Sequence, residues 1–162
     1  MRISAGGNLI VETVSLGVRV MRFARPDLRK YLWDDADAPT SPLYREIQDT
    51  ALSNLADGSV LIVNMGLIDP INAAFYRCLL CIRERVHASH GQLVLCGLSP
   101  QHQEIFDLFR GPQIFTIART EAEALRAARG WLSDPKTPRE EDISPPLTSK
   151  TSRRVRNSAS AG

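Results

Sequence analysis

Two short runs of apolar residues constrain this chain more than any other feature. Residues 60–63 read Val-Leu-Ile-Val and residues 93–96 read Leu-Val-Leu-Cys, with no charged or amide side chain in either. A strand covered on one face alternates apolar with polar residues, whereas an unbroken run marks a strand buried on both faces. Two such strands need helices on either side of them, and the stretches that follow supply the pattern. After the first run, Ile71, Phe75, Cys78, Leu79, Ile82 and Val86 recur at helical spacing. After the second, Ser99-Pro100 opens a segment containing Ile105, Phe106, Leu108 and Phe109, stopped by Gly111-Pro112. The centre of the fold is therefore expected to be parallel sheet joined by helical crossovers.

The remaining elements fall into place around that centre. Residues 9–14 and Val18–Phe23 are rich in strand formers and flank Ser15-Leu16-Gly17, which can turn a hairpin. Residues 24–41 carry Pro26, Pro39 and the acidic run Asp34-Asp35-Ala36-Asp37, and are expected to be an irregular connection. Ser41 is placed to cap a helix that has Pro42 in its first position. Leu43, Tyr44, Ile47, Ala51, Leu52 and Leu55 give that helix an apolar stripe, and Gly58 is expected to close it. Asp69 is expected to cap the next helix, with Pro70 in its first turn. Residues 113–117 read as a last short strand, and Thr120-Glu121-Ala122-Glu123 as a capping box before a final helix through Trp131. The expected order is β-β-α-β-α-β-α-β-α, a single α/β domain with a mixed, mostly parallel sheet.

Charge and composition set the boundaries and exclude several classes. Residues 1–132 hold 14 basic and 14 acidic residues, and residues 133–162 hold six and four, which accounts for the net charge of +2. A nearly neutral domain argues against nucleic acid as a partner. Residues 133–162 contain Pro135, Pro138, Pro145 and Pro146 and a Ser/Thr/Arg run from residue 148, with Ile143, Leu147 and Val155 isolated. Burial there does not offset ordering entropy, so the segment is expected to be a disordered tail. The domain is expected to span residues 9–132, with residues 1–8 as an extension before it. Three cysteines make no disulfide framework and suit a reducing compartment. No uncharged apolar run approaches the ~18 residues of a membrane span, and Glu12 interrupts the N-terminal apolar stretch. A soluble, cytoplasmic chain is expected.

Four local sequences, in this order, carry a resemblance. They are the strand Gly-Val-Arg-Val-Met-Arg-Phe at 17–23 and Val-Leu-Ile-Val-Asn-Met-Gly-Leu-Ile-Asp at 60–69, then Gly-Gln-Leu-Val-Leu-Cys-Gly-Leu-Ser-Pro at 91–100, and finally Ile105-Phe106 with Ile-Phe-Thr-Ile at 114–117 and the helix start at 120–125. Together they resemble the STAS domain, the fold of bacterial anti-sigma factor antagonists, over about residues 9–130. The resemblance implies a non-enzymatic signalling module that binds a regulatory protein, such as an anti-sigma factor or a serine-kinase-like protein. It also implies a switch, in which the partner kinase phosphorylates a Ser or Thr directly after the aspartate at the helix start. A phosphate there adds nearly two negative charges beside exposed helix N–H groups.

The chain departs from that pattern at the switch. Asp69 is followed by Pro70, Ile71 and Asn72, where the family commonly has Ser, Ser and Gly, and no Ser or Thr lies between Ser59 and Ser89. Proline has no hydroxyl, so the family's modification cannot occur at this position. The expected partner surface is the loop 65–72, the first turn of the helix from Pro70 and the connection 24–41. Asn64 and Asp69 are expected to hold the loop, and Leu67, Ile71, Asn72 and Tyr76 to meet the partner, with Tyr76 exposed. Ile68 reads equally as part of an apolar patch or as a staple over the helix start. The family's second acidic recognition site corresponds to Asp27, or to Asp35 or Asp37, and Asp34, Asp35 and Asp37 add charge complementarity.

Other constellations read as structure. Cys78 and Cys81 have C-x-x-C spacing but sit mid-helix, where no helix N-terminus lowers the thiol pKa, so packing is the better reading. His87, His90 and His102 are too dispersed for a zinc site. Ser99 near His102 is better explained as a helix cap than as a nucleophile. There is no Walker A motif and no G-x-G-x-x-G, and no cofactor is expected. The basic run Lys150 to Arg156 reads as a solvated tail. Two rival readings stay open, a small-molecule-binding sensor of the same fold and an enzyme of an unrecognised α/β family.

Overall fold

The computed structural model describes residues 2–5, 7–24, 41–68 and 71–133. Eleven elements are present among them: β1 (Arg2–Ala5), β2 (Leu9–Ser15), β3 (Val18–Phe23), α1 (Pro42–Thr50), β4 (Val60–Asn64), α2 (Ala73–Ala88), β5 (Gln92–Cys96), α3 (Pro100–Leu108), α4 (Gly111–Ile114), β6 (Thr116–Ala118) and α5 (Glu121–Ser133). The six strands form one sheet in chain order. β1, β2 and β3 pair antiparallel, and β3, β4, β5 and β6 pair parallel. This is the α/β fold with a mixed, mostly parallel sheet that the sequence pattern predicts.

The apolar runs are buried on both faces, as their lack of alternation requires. Leu61 and Val63 of β4, with Leu93 and Leu95 of β5, face α1 and α2 and meet Leu43, Ile47, Phe75, Leu79 and Ile82. Val60, Ile62, Val94 and Cys96 point the other way, onto Ala124 and Ala128 of α5. The two small alanines let the α5 backbone approach the sheet closely. Each large side chain buried this way contributes about 1.5–3 kcal/mol.

Several expectations are corrected. Residues 1–8 are not merely an extension, because β1 pairs with β2 from Arg2↔Thr13 to Ala5↔Ile10. Helix α1 stops at Thr50, well before Gly58. The Nη1 of Arg19 donates to the carbonyls of Ala51 at 2.7 Å and Ser53 at 2.8 Å, so carbonyls at the helix end are satisfied from β3 instead of by a glycine. Helix α2 begins at Ala73 with Asn72 as its cap, not at Pro70 with Asp69 capping. Residues 113 and 114 are not strand; Arg110 takes a left-handed conformation (φ 57°) and starts the helical turn α4, which delays β6 to Thr116. Leu108, one of the apolar residues of the segment after Ser99-Pro100, is 81% exposed. The connection 25–40 and the tail 134–162 lie outside the described residues.

Candidate protein-binding site

The carboxyl ends of the parallel strands β3, β4 and β5 lie together at one end of the sheet, and the loop after β4 is built there. Asn64 closes β4 beside Arg22 of β3 and Cys96 of β5. The N–H of Met65 donates to the Cys96 carbonyl at 2.8 Å, which ties the loop to β5. Next, the Gly66 N–H donates to Asn64 Oδ1 at 2.9 Å. The Ile68 N–H then donates to the Met65 carbonyl at 3.2 Å, closing a turn. Met65 and Ile68 are buried in the core, while Leu67 between them is 49% exposed. Ile68 is therefore core, four residues ahead of the Asn72 cap and so not the staple residue that directly precedes a cap, while Leu67 is the apolar side chain left in water.

Asn64 is held from its other side by a charged network that the sequence did not single out. Its Nδ2 donates to Glu121 Oε2 at 2.7 Å. Glu121, the first residue of α5, also receives the guanidinium of Arg22 through Nε at 3.0 Å and through Nη2. Arg22 Nη1 donates to Glu12 Oε2 at 2.8 Å. The hydrogen bond from Arg22, with help from Asn64, holds the Glu121 carboxyl below its ordinary value, and the two glutamates raise the Arg22 guanidinium. The sequence signal was only the helix-start pattern at 120–123. Even that is half a capping box: Thr120 Oγ1 accepts from the Glu123 N–H at 3.2 Å, but the Glu123 carboxylate accepts from the Arg119 N–H, one residue earlier than the box requires.

The other sequence-predicted residues separate. Asn72 caps α2, its Oδ1 accepting from the Phe75 N–H at 2.8 Å. Ile71 is buried in the core. Tyr76 is not exposed as expected but 5% accessible, because the end of α3 closes over it. Its ring packs on Phe106, Phe109 and Phe115 with centroids 5.3, 5.0 and 5.6 Å away, and its hydroxyl donates to the Phe109 carbonyl at 3.1 Å. Phe109 itself is 46% exposed and takes the aromatic surface position expected of Tyr76. Asp27, Asp34, Asp35, Asp37, Asp69 and Pro70 lie outside the described residues.

The thiols are placed for packing. Burial pushes Cys78 and Cys96 up to about 12, so both are protonated at neutral pH. Cys81, half-buried on α2, is also raised by burial. Ser99 caps α3, its Oγ accepting from the His102 N–H at 3.2 Å. Among the described residues, no group of three His, Cys, Asp or Glu side chains is placed to hold a metal ion, and no helix is long and apolar enough to cross a membrane.

No protein-family model matches the chain. The chain is 30% identical over 72 residues to BtrV of Bordetella bronchiseptica, named as a candidate anti-sigma factor antagonist, and spans 62% of that protein's length and 44% of its own. A crystal structure from Thermotoga maritima, of a protein named in the same way, matches 74% of this chain and 92% of its own with a TM-score of 0.59 at 15% identity. The anti-sigma-factor antagonist (STAS) domain protein of Planctomyces limnophilus matches 75% of this chain and 97% of its own, with a TM-score of 0.57 at 20% identity. The fold of this chain is that of the STAS domain.

Proposed function

We propose that this chain is a non-enzymatic, cytoplasmic regulatory module that binds another protein through the loop 65–72 and the start of α2, in the manner of an anti-sigma factor antagonist. The partner is a regulatory protein of the anti-sigma factor or serine-kinase-like type. One observation carries the reading: Leu67 is held half in water on a turn whose flanking residues are tied to β5 and to Asn64. An apolar side chain on a preorganised backbone binds with little ordering cost. Ile71 and Tyr76 are buried, which leaves Leu67 as the apolar contact of this surface. Asp27, Asp34, Asp35 and Asp37 add charge complementarity to a basic partner surface. Pro70 stands where the resembling family carries its phosphoacceptor, so recognition at this loop runs without that switch.

The test is capture of partners from extract of the native organism by the tagged full chain, followed by native mass spectrometry. A stoichiometric regulatory protein is the expected finding. Leu67→Asp is expected to abolish its capture, and Leu16→Asp, in the exposed hairpin at the opposite end of β3, to leave it intact. Capture unaffected by Leu67→Asp places the surface elsewhere. A retained small molecule without a protein partner overturns the class.

A further inference from the structure

We propose that Glu121 is the positioning residue for the loop 65–68, so that the shape of this loop and the seating of the last helix form one unit. The functional consequence rests on the reading of that loop as the binding surface; the positioning itself does not. A side-chain amide is a rigid plane with an acceptor at one end and a donor at the other. In Asn64 the acceptor end takes the Gly66 N–H at 2.9 Å and the donor end meets Glu121 Oε2 at 2.7 Å. Turning the amide over would set an NH2 against the Gly66 N–H and an oxygen against a carboxylate. The Glu121 carboxylate therefore selects the orientation that accepts from the loop.

Glu121 is in turn oriented from the sheet. Arg22 engages both of its oxygens, and Glu12 holds the remaining terminal nitrogen of Arg22. The sequence Glu12, Arg22, Glu121, Asn64, Gly66 thus runs through β2, β3, α5 and β4 into the loop. Glycine at position 97 leaves room for it: a Cβ there would lie 2.8 Å from Asn64 Oδ1 and 3.1 Å from the Gly66 nitrogen. Partner contact at Leu67 is accordingly linked to a helix start on the far face of the sheet. Displacement of α5 would loosen the loop, and engagement of the loop would tighten α5.

Hydrogen exchange of the Gly66 amide, followed by NMR in the purified full chain, tests the positioning directly. Glu121→Ala is expected to speed this exchange about five- to tenfold, the loss of roughly one net hydrogen bond. Asn64→Ala is expected to do the same, and the double variant no more than either alone. Glu121→Gln keeps an acceptor for Asn64 and is expected to retain most of the protection. Exchange at Val20, mid-strand in β3, monitors global opening, so general destabilisation is read separately. Unchanged Gly66 exchange in Glu121→Ala, or additive effects in the double variant, overturns the inference. If Gly66 exchange rises in Glu121→Ala while partner capture is undiminished, the positioning stands and the reading of the loop as the binding surface falls.

Discussion

A Cβ on Gly97 would lie 2.8 Å from Oδ1 of Asn64, closer than a carbon and an oxygen can pack. Gly97 also has φ +72°, a conformation that other residues adopt only at a cost. The two facts together predict that Gly97→Ala displaces Asn64 from the Gly66 N–H. A loss of about 2–3 kcal/mol is expected, about 1–2 from the backbone and about 1 from the hydrogen bond. Urea unfolding measures it. A loss under about 0.5 kcal/mol, the range of an ordinary surface change, would mean that Asn64 moves aside freely.

The exposed and buried leucines offer a contrast. Leu61, the second residue of β4, is fully buried, and Leu61→Ala is expected to cost about 2–5 kcal/mol through transfer and cavity terms. Leu108→Ala, at a position largely in water, is expected to stay within about 0.5 kcal/mol. Equal losses at the two sites, measured by the same unfolding curves, would show that the Leu108 side chain is packed after all.

Tyr76 separates a ring from its hydroxyl. Tyr76→Phe keeps the contacts with Phe106, Phe109 and Phe115 and removes only the bond to the Phe109 carbonyl, so about 0.5–1.5 kcal/mol is expected. Tyr76→Ala is expected to cost about 3–5 kcal/mol. Partner capture should survive Tyr76→Phe, because the hydroxyl faces the protein; loss of capture with unchanged stability would return Tyr76 to the surface.

The Glu121 carboxyl, held below its ordinary value mainly by Arg22, gives a pH dependence of known sign. A depressed folded-state value means that the contribution to stability is complete above the unfolded value of about 4.3 and disappears as pH falls through the folded one. Wild type should therefore exceed Glu121→Gln in stability at pH 7, and the gap should narrow in acid below about pH 4. A gap that is constant from pH 7 to pH 3 would show that the carboxylate charge is not what Arg22 and Asn64 hold.

The legible part of this molecule was the part governed by period and burial. The unbroken runs in β4 and β5, the stripes of α1 and α2, and the caps at Ser41 and Ser99 all follow from short-range pattern. Asn72, not the expected Asp69, caps α2, and that shift of three residues rests on the hydrogen bond to the Phe75 N–H, which helical spacing does not reveal. The burial of Tyr76 is invisible to helical spacing because what covers it, the aromatic cluster around Phe106, arrives from 30 residues downstream. The Glu12–Arg22–Glu121–Asn64 network joins residues 57 and 99 positions apart, a separation at which helix and strand periods say nothing. β1 carries too few residues for any period to register.

Strand order along the sheet repeats strand order along the chain, from β1 to β6. Each new strand therefore docks on the one made just before it, and no gap has to be held open for a later arrival. A nascent chain leaving the ribosome can extend the sheet outward from its first hairpin, with β1 at one edge throughout and the latest strand at the other. Of the described elements α5 emerges last, so the turn 65–68 acquires its final anchor, through Asn64, only after all six strands have left the ribosome.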